Sequence, residues 1–397
     1  LKRLSVTAYG LVLSALIGIL ASAFLIVEAA VSAVLWRSTN PGLQILVVAA
    51  GAGLLYVLLK RWPQMPQTAQ TAMVGLKEHQ LGDYRLVFVN LLVTLVILSF
   101  GAGVGPEAAL LSAIITLSSW QADKIRYLYF NYEQVKALPV KTRLQRLLTF
   151  NSYLQAYDER VAVKSSRLLR QKRLLYLIFS LNGLLAFFIL MRHTDQPSFI
   201  TKLGASTWHA RDWFIILPLI MGAGIYGRLW RWLGRYWHKL IQWWAPALML
   251  KVILGAVGIV VIAHWLPDLL FSGQHSVHLL VGAWQHRDPW LLSGMAAVKL
   301  LFLAWCLQFG WCGGDIFPIL FASFTQGFAV AAWLPQFDQL VVVAVVATAM
   351  AGCLLDNPVV AGIMVLLFCP LNVSPLIIVT VGILVGTKRL KRWERNR

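Results

Sequence analysis

The sequence predicts an all-α, polytopic membrane protein with two inverted-topology repeats and broken, partly spanning helices. Three observations carry this. The 397 residues are 59% hydrophobic and only 13% charged, about half the charge of an ordinary soluble domain, with a mean hydropathy of +0.70. The apolar stretches are continuous and long rather than alternating, which argues against a transmembrane barrel. Several are shorter than the roughly 20 residues of a full crossing, and Gly/Pro breaks fall in both halves, a pattern of transporters with discontinuous helices.

The elements follow in chain order. The first apolar run, Tyr9 to Leu35, carries Glu28 and is followed by Arg37. It is too long for a signal-peptide core and has no clear cleavage site. The second, Leu43 to Leu59, ends in Lys60 and Arg61, and "WPQMPQTAQTA" (62–72) is polar and proline-broken. Residues 86–100 are apolar and the run resumes over 108–117. The stretch 121–173 is wet and basic, and no spanning helix fits it without burying several charges. It reads as a cytoplasmic or interfacial helical excursion on the anionic lipid leaflet. An apolar helix over 174–191 and a polar connection over 192–212 close a first repeat, 1–212. The second repeat, 213–397, has apolar runs at 213–226, 248–266, 290–309, 316–334, 340–355, 359–369 and 375–386, then a short basic tail.

The net charge of +19 suggests nucleic acid in a soluble protein. Here Lys and Arg sit at the ends of apolar runs, so they read as topology signals, and no nucleic-acid partner is expected. Lys2, Arg3, Lys60, Arg61 and the tail "TKRLKRWERNR" place both termini in the cytoplasm. Tryptophans in "WHARDW" and "LWRWLGRYWHKLIQWW" mark interfacial belts. Cys306, Cys312, Cys353 and Cys369 read as small buried hydrophobes. Neither they nor His264, His275, His278 and His286 have metal-ligand spacing, so no metal or cofactor is expected. Paired carboxylates, HExxH and a nucleophile elbow are absent, which argues against an enzyme.

Two stretches interrupt apolar runs in matching ways: "FGAGVGPEAALLSA" (100–113) and "GWCGGDIFPILFASF" (310–324). Pro106 and Pro318 suit the first turn of a new helix. A helix start inside a membrane leaves amides and a positive dipole end exposed, tolerated only where backbone lines a cavity or is buried in protein. An anion is the natural partner. The alternative is a pair of packing kinks. Glu107 reads either as a gate or as a helix-start cap, and Asp315 as an N-cap-type residue. Lys299 reads as an attraction for anions, a partner of an acid, or a snorkelling side chain. Asp356 and Asn357 before Pro358 read as a turn and helix start.

At these residues the sequence resembles the CLC chloride channel and transporter family, in its short, divergent bacterial form without CBS domains. "GVGPEAALLSA" is similar to the gating-helix start GxEGP, and "GWCGGDIFPILFASFTQGF" to the GxFxP region, supported by "LPDLLFSGQHSVHLLVGAW" and "AGCLLDNPVVAGIMVLLF". The resemblance covers about 1–120 and 213–386. It implies tilted helices in two inverted repeats, an integral protein of the bacterial inner membrane, a homodimer, and a small inorganic anion held by backbone amides near Gly103–Gly105 and Asp315–Phe317. The implied anion pathway is Gly103, Val104, Gly105, Glu107, Asp315, Ile316 and Phe317, with Pro66, Pro106 and Pro318 as helix-start prolines.

The departures bear on mechanism. "WPQMP" replaces GSGIP, so only Pro66 matches and the serine contact is lost to Pro63. Val104 holds the gating-glutamate position, Ile316 the GxFxP phenylalanine position, and no tyrosine matches after Pro375. "FNSYLQAYDE" (150–159) is only faintly similar to FNAPLAG and lacks its proline. Passive anion conductance is the expectation. The alternatives are proton-coupled antiport through Glu107 and a non-conducting scaffold or partner subunit.

Overall fold

The computed structural model describes residues 2–68, 71–74, 83–154, 166–194, 202–273, 276 and 287–395. The described chain is nearly all helix, and eight of its helices are long and apolar enough to cross a membrane. Extended pairing among the described residues is confined to one bridge, Gly105 with Gly314.

Helices α1 (Lys2–Leu35) and α2 (Pro41–Arg61) form on the first two apolar runs. Pro41 suits a first helical position, where a missing N–H costs nothing, and the Asn40 side chain takes the Gly42 N–H at 2.9 Å. Helix α3 (Val87–Ser99) has 13 residues, about 20 Å of helix and too short to span.

Helix α4 (Glu107–Phe130) departs from the expected run over 108–117 by continuing through Asp123 and Lys124. Both are fully buried, but they neutralise each other. Lys124 Nζ meets Asp123 Oδ2 at 2.9 Å, the Tyr84 hydroxyl donates to the same oxygen at 3.0 Å, and the Leu154 N–H donates to it at 3.1 Å. The expected excursion at 121–173 therefore starts inside a helix. Beyond it α5 (Tyr132–Ala137) and α6 (Val140–Leu148) are short, and α7 (Ser166–Arg192) takes up the far end. Residues 155–165, and with them the second half of "FNSYLQAYDE", lie outside the described chain, as do 195–201 of the polar connection.

Helix α8 (Trp213–Trp244) runs far past the expected end near 226. Pro218 lies close to its start, and the helix stops only at Ala245, whose φ of 44° is left-handed. Helices α9 (Leu248–Trp265), α10 (Pro289–Gln308), α11 (Ile316–Trp333), α12 (Gln339–Leu354) and α13 (Pro358–Phe368) fall where the apolar runs place them. Helix α14 (Ser374–Arg395) runs on into the basic tail. Carboxylate and amide side chains fix three of these starts: Asp288 accepts from Trp290 N, Asp338 from Val341 N, and Asn357 from Val360 N.

The helices group into two compact units that do not follow chain order. The first comprises Leu1–Arg37, Leu58–Ser99 and Pro106–Gln196, with α1 as spine against α3, α4 and α7. The α1–α7 crossing is close: a Cβ on Gly18 would fall 2.0 Å from the Gly183 carbonyl oxygen. Asn182 Nδ2 donates there to Leu11 O and Ser14 Oγ, each at 2.8 Å. Small residues and a polar link are how helices associate in lipid. The outer face of α7 exposes Leu177, Leu181, Leu184, Leu185 and Phe188, a surface suited to acyl chains.

The second unit comprises Ser38–Val57, Phe100–Gly105 and Pro197–Arg397. Helix α12 is its centre, buried from Leu340 to Gly352 and packed against α8, α11, α13 and α14. Enclosed all round, it needs no polar face.

Candidate functional site

Both glycine-rich breaks up to Gly105 belong to the second unit. Helix α3 ends at Ser99, whose carbonyl takes the Trp36 indole N–H at 3.0 Å. Gly101 then adopts φ 92°, a conformation open mainly to glycine. Residues Gly101 to Pro106 are all buried. The Gly103 N–H points at the Cys306 sulfur, 3.3 Å away, and a Cβ on Gly103 would lie 2.5 Å from the Phe302 ring. Pro106 precedes α4 as its N-cap, and Glu107, half-buried, opens that helix in the first unit.

The second break mirrors the first. Helix α10 ends at Gln308, and Gly310 turns the chain at φ 86°. Trp311 is fully buried and anchors the turn through its indole N–H to Val252 O at 3.1 Å. Asp315 is the N-cap of α11 by position, without a side-chain cap bond. Pro318 is its third residue, not its first. Asp315 is exposed, Ile316 half-buried and Phe317 buried.

The two breaks are zipped together. Gly105 N–H donates to Gly314 O at 2.8 Å, and Gly314 N–H donates back to Gly105 O at 2.7 Å. The fully buried Val104 fills the space beside Gly313, where a Cβ would fall 2.5 Å from Val104 Cγ2. Two of the three amides expected to face an anion at the first break are thus used within the protein. The accessible helix start is that of α11.

Other predicted residues take roles that differ from those expected. Pro66 opens no helix, since 66–68 are irregular after α2; Pro63 and Pro66 each lack the amide that a continuing helix needs. Instead the Gln67 N–H caps onto the Asn90 side chain at 2.7 Å. Lys299 neither snorkels nor pairs with an acid among the described residues: it is 0% exposed and bonded to carbonyls. His264 meets the Trp265 ring edge-on, His275, His278 and His286 lie outside the described residues, and no cluster of three metal-ligating side chains forms among the described residues. The sequence reading missed Cys306 as an amide acceptor and Phe302 as a packing wall. Lys299, Phe302 and Cys306 recur at i, i+3 and i+7, so one face of α10 was there to be found.

A family model described as voltage gated chloride channel matches residues 168–388, more than half of the chain. The chain belongs to that family. Solved structures similar to this voltage gated chloride channel family member include "a slow cyanobacterial Cl-/H+ antiporter". That match has a TM-score of 0.66 and 15% identity, over 96% of this chain and 94% of the other. "A CLC-type fluoride/proton antiporter" matches with a TM-score of 0.65 and 15% identity, over 96% and 94%. "A eukaryotic CLC transporter" matches at 0.59 and 11%, over 97% and 72%. No curated protein sequence matches. At these identities the likeness is one of fold. The family is one of membrane transport proteins.

Proposed function

We propose that this chain conducts a small inorganic anion across a membrane, passively, along a path past the start of α11. One observation carries the passive reading. The position of the family's gating glutamate is Val104, which has no proton to exchange and is locked against Gly313. The proposed path runs past Asp315, Ile316 and Phe317. The helix dipole favours an anion at that end, and the exposed Asp315 disfavours one unless it turns away.

A second reading is proton-coupled antiport with Glu107 as a displaced gate. It is favoured by the two similar structures that are named proton antiporters. Anion efflux from proteoliposomes, with internal pH followed, separates the two. The passive reading expects anion efflux with no proton movement against its gradient. Uphill proton movement driven by the anion gradient sinks it, and loss of that coupling in Glu107→Gln establishes the gate. Folded protein without flux moves the assignment to a scaffold or partner subunit. The same proposal places the chain in a bacterial inner membrane, with both termini cytoplasmic and 1–212 and 213–397 as repeats of a homodimer subunit, acting without cofactor and without catalysing a reaction.

A further inference from the structure

Lys299 lies in the middle of α10, fully buried in the second unit. An intramembrane cation is costly and is kept where it has work to do. Its Nζ donates to Leu269 O at 2.8 Å and to Phe271 O. Its flanks are the rings of Phe302 and Phe321, with centroids 5.6 and 5.9 Å away. No carboxylate lies within ion-pair reach of it among the described residues. The connection that supplies the carbonyls is bent to do so: Phe271 takes φ 58° and Gly273 φ 80°.

This charge is held close to the break. Phe302, which carries one wall of the Lys299 pocket, also packs on Gly103. Cys306, two turns along the same face of α10, takes the Gly103 N–H. The ammonium therefore sits one aromatic layer behind the paired breaks. Carbonyl dipoles orient the protonated amine but do not cancel the unit charge of that form.

We infer that Lys299 is a positioning residue for anion affinity: a buried, unneutralised cation whose field lowers the energy of a monovalent anion at the α11 start. The inference rests on the transport reading above. At an effective dielectric of about 20, a unit charge on the order of 10 Å from an anion changes its affinity roughly tenfold.

The test compares wild type, Lys299→Gln and Lys299→Arg in proteoliposomes, with chloride and fluoride as probes and efflux rate read against anion concentration. Glutamine keeps two N–H donors for the Leu269 and Phe271 carbonyls and removes the charge. The expected result is an apparent KM about tenfold higher in Lys299→Gln, kcat within about threefold, and Lys299→Arg near wild type. A Lys299→Gln KM within twofold of wild type overturns the inference while leaving the transport reading intact. So does Lys299→Arg as impaired as Lys299→Gln, or failure of both Lys299→Gln and Lys299→Met to fold beside a folded, normal Lys299→Arg; each marks a structural role. Wild type without flux and without heat of anion binding in calorimetry overturns both readings.

Discussion

Gly313 and Val104 form one packing unit, and Gly313 cannot gain a side chain alone. An alanine methyl at 313 would fall 2.5 Å from Val104 Cγ2 and 2.8 Å from its Cβ. The backbone cannot retreat, because the reciprocal Gly105–Gly314 bonds pin both strands. Overpacking of this kind costs about 1–3 kcal/mol. Gly313→Ala should lower Tm in detergent by several degrees and cut anion flux at least tenfold, whereas Gly313→Ala with Val104→Ala should recover most of both. An unchanged Tm in Gly313→Ala alone contradicts the packing. The glycine was legible in the sequence as a break, but its partner was not. Periodicity reports which face of an element is apolar; it does not report which residue from the other half of the chain fills the gap.

At the scale of elements, α12 shows where polarity is used and where it is not. Thr325 on α11 and Thr380 on α14 bond back to Phe321 O and Leu376 O at 2.8 Å. The buried Thr348 hydroxyl on α12 has no bond partner among the described residues. Thr348→Val, equal in shape, should leave stability unchanged or raise it by up to about 1 kcal/mol, read as an equal or higher Tm; a clear loss would show that the hydroxyl serves a ligand or water. The turn after α12 gives a pH prediction. Arg231 and then Lys388 hold Asp356 down to a pKa of about 2, against about 3.9 for a free Asp. A depressed carboxylate stabilises the fold above about pH 4, and that stabilisation fades as pH falls through about 2. The side chain is half exposed, so the contribution is about 0–1 kcal/mol. Asn tolerates the left-handed φ of 51° at this position, so Asp356→Asn removes only the charge. Its Tm should lie a little below wild type at pH 7 and converge with it near pH 2; a constant gap contradicts the assignment. Among elements, the apolar runs gave both ends of α2, α3 and α9 to α13 to within two residues. Helix α4 escaped because Asp123 and Lys124 look prohibitive singly and are harmless as a pair. Helix α8 escaped because its aromatic, basic second half is as good a helix as its apolar first half.

Across the whole molecule, the distribution of charge specifies sidedness. The 32 residues of α8 make about 48 Å of helix, against about 30 Å of hydrocarbon. Its first half is apolar. Its second half carries Arg228, Arg231, Arg235 and Lys239 at helical spacing, so that half emerges from the bilayer. Arg231 Nη1 and Lys388 Nζ both reach Asp356 Oδ1, at 2.8 and 2.7 Å. This clasp sets the basic end of α14 level with the basic half of α8, and both leave the membrane on one face. Under the proposed orientation that face, where Lys and Arg are in excess, is the cytoplasmic one. The basic ends were legible in the sequence; the clasp was not, because Asp356 read only as a turn residue. With Cys306, Cys312, Cys353 and Cys369 replaced, single cysteines can be introduced at Arg235, Arg389 and Ala205, all exposed. A membrane-impermeant maleimide should label Arg235→Cys and Arg389→Cys only after cells are permeabilised, and should label Ala205→Cys, ahead of α8, in intact cells. Opposite labelling of Arg235→Cys and Arg389→Cys would break the clasp argument. Joint labelling of both in intact cells would keep the clasp and reverse the orientation.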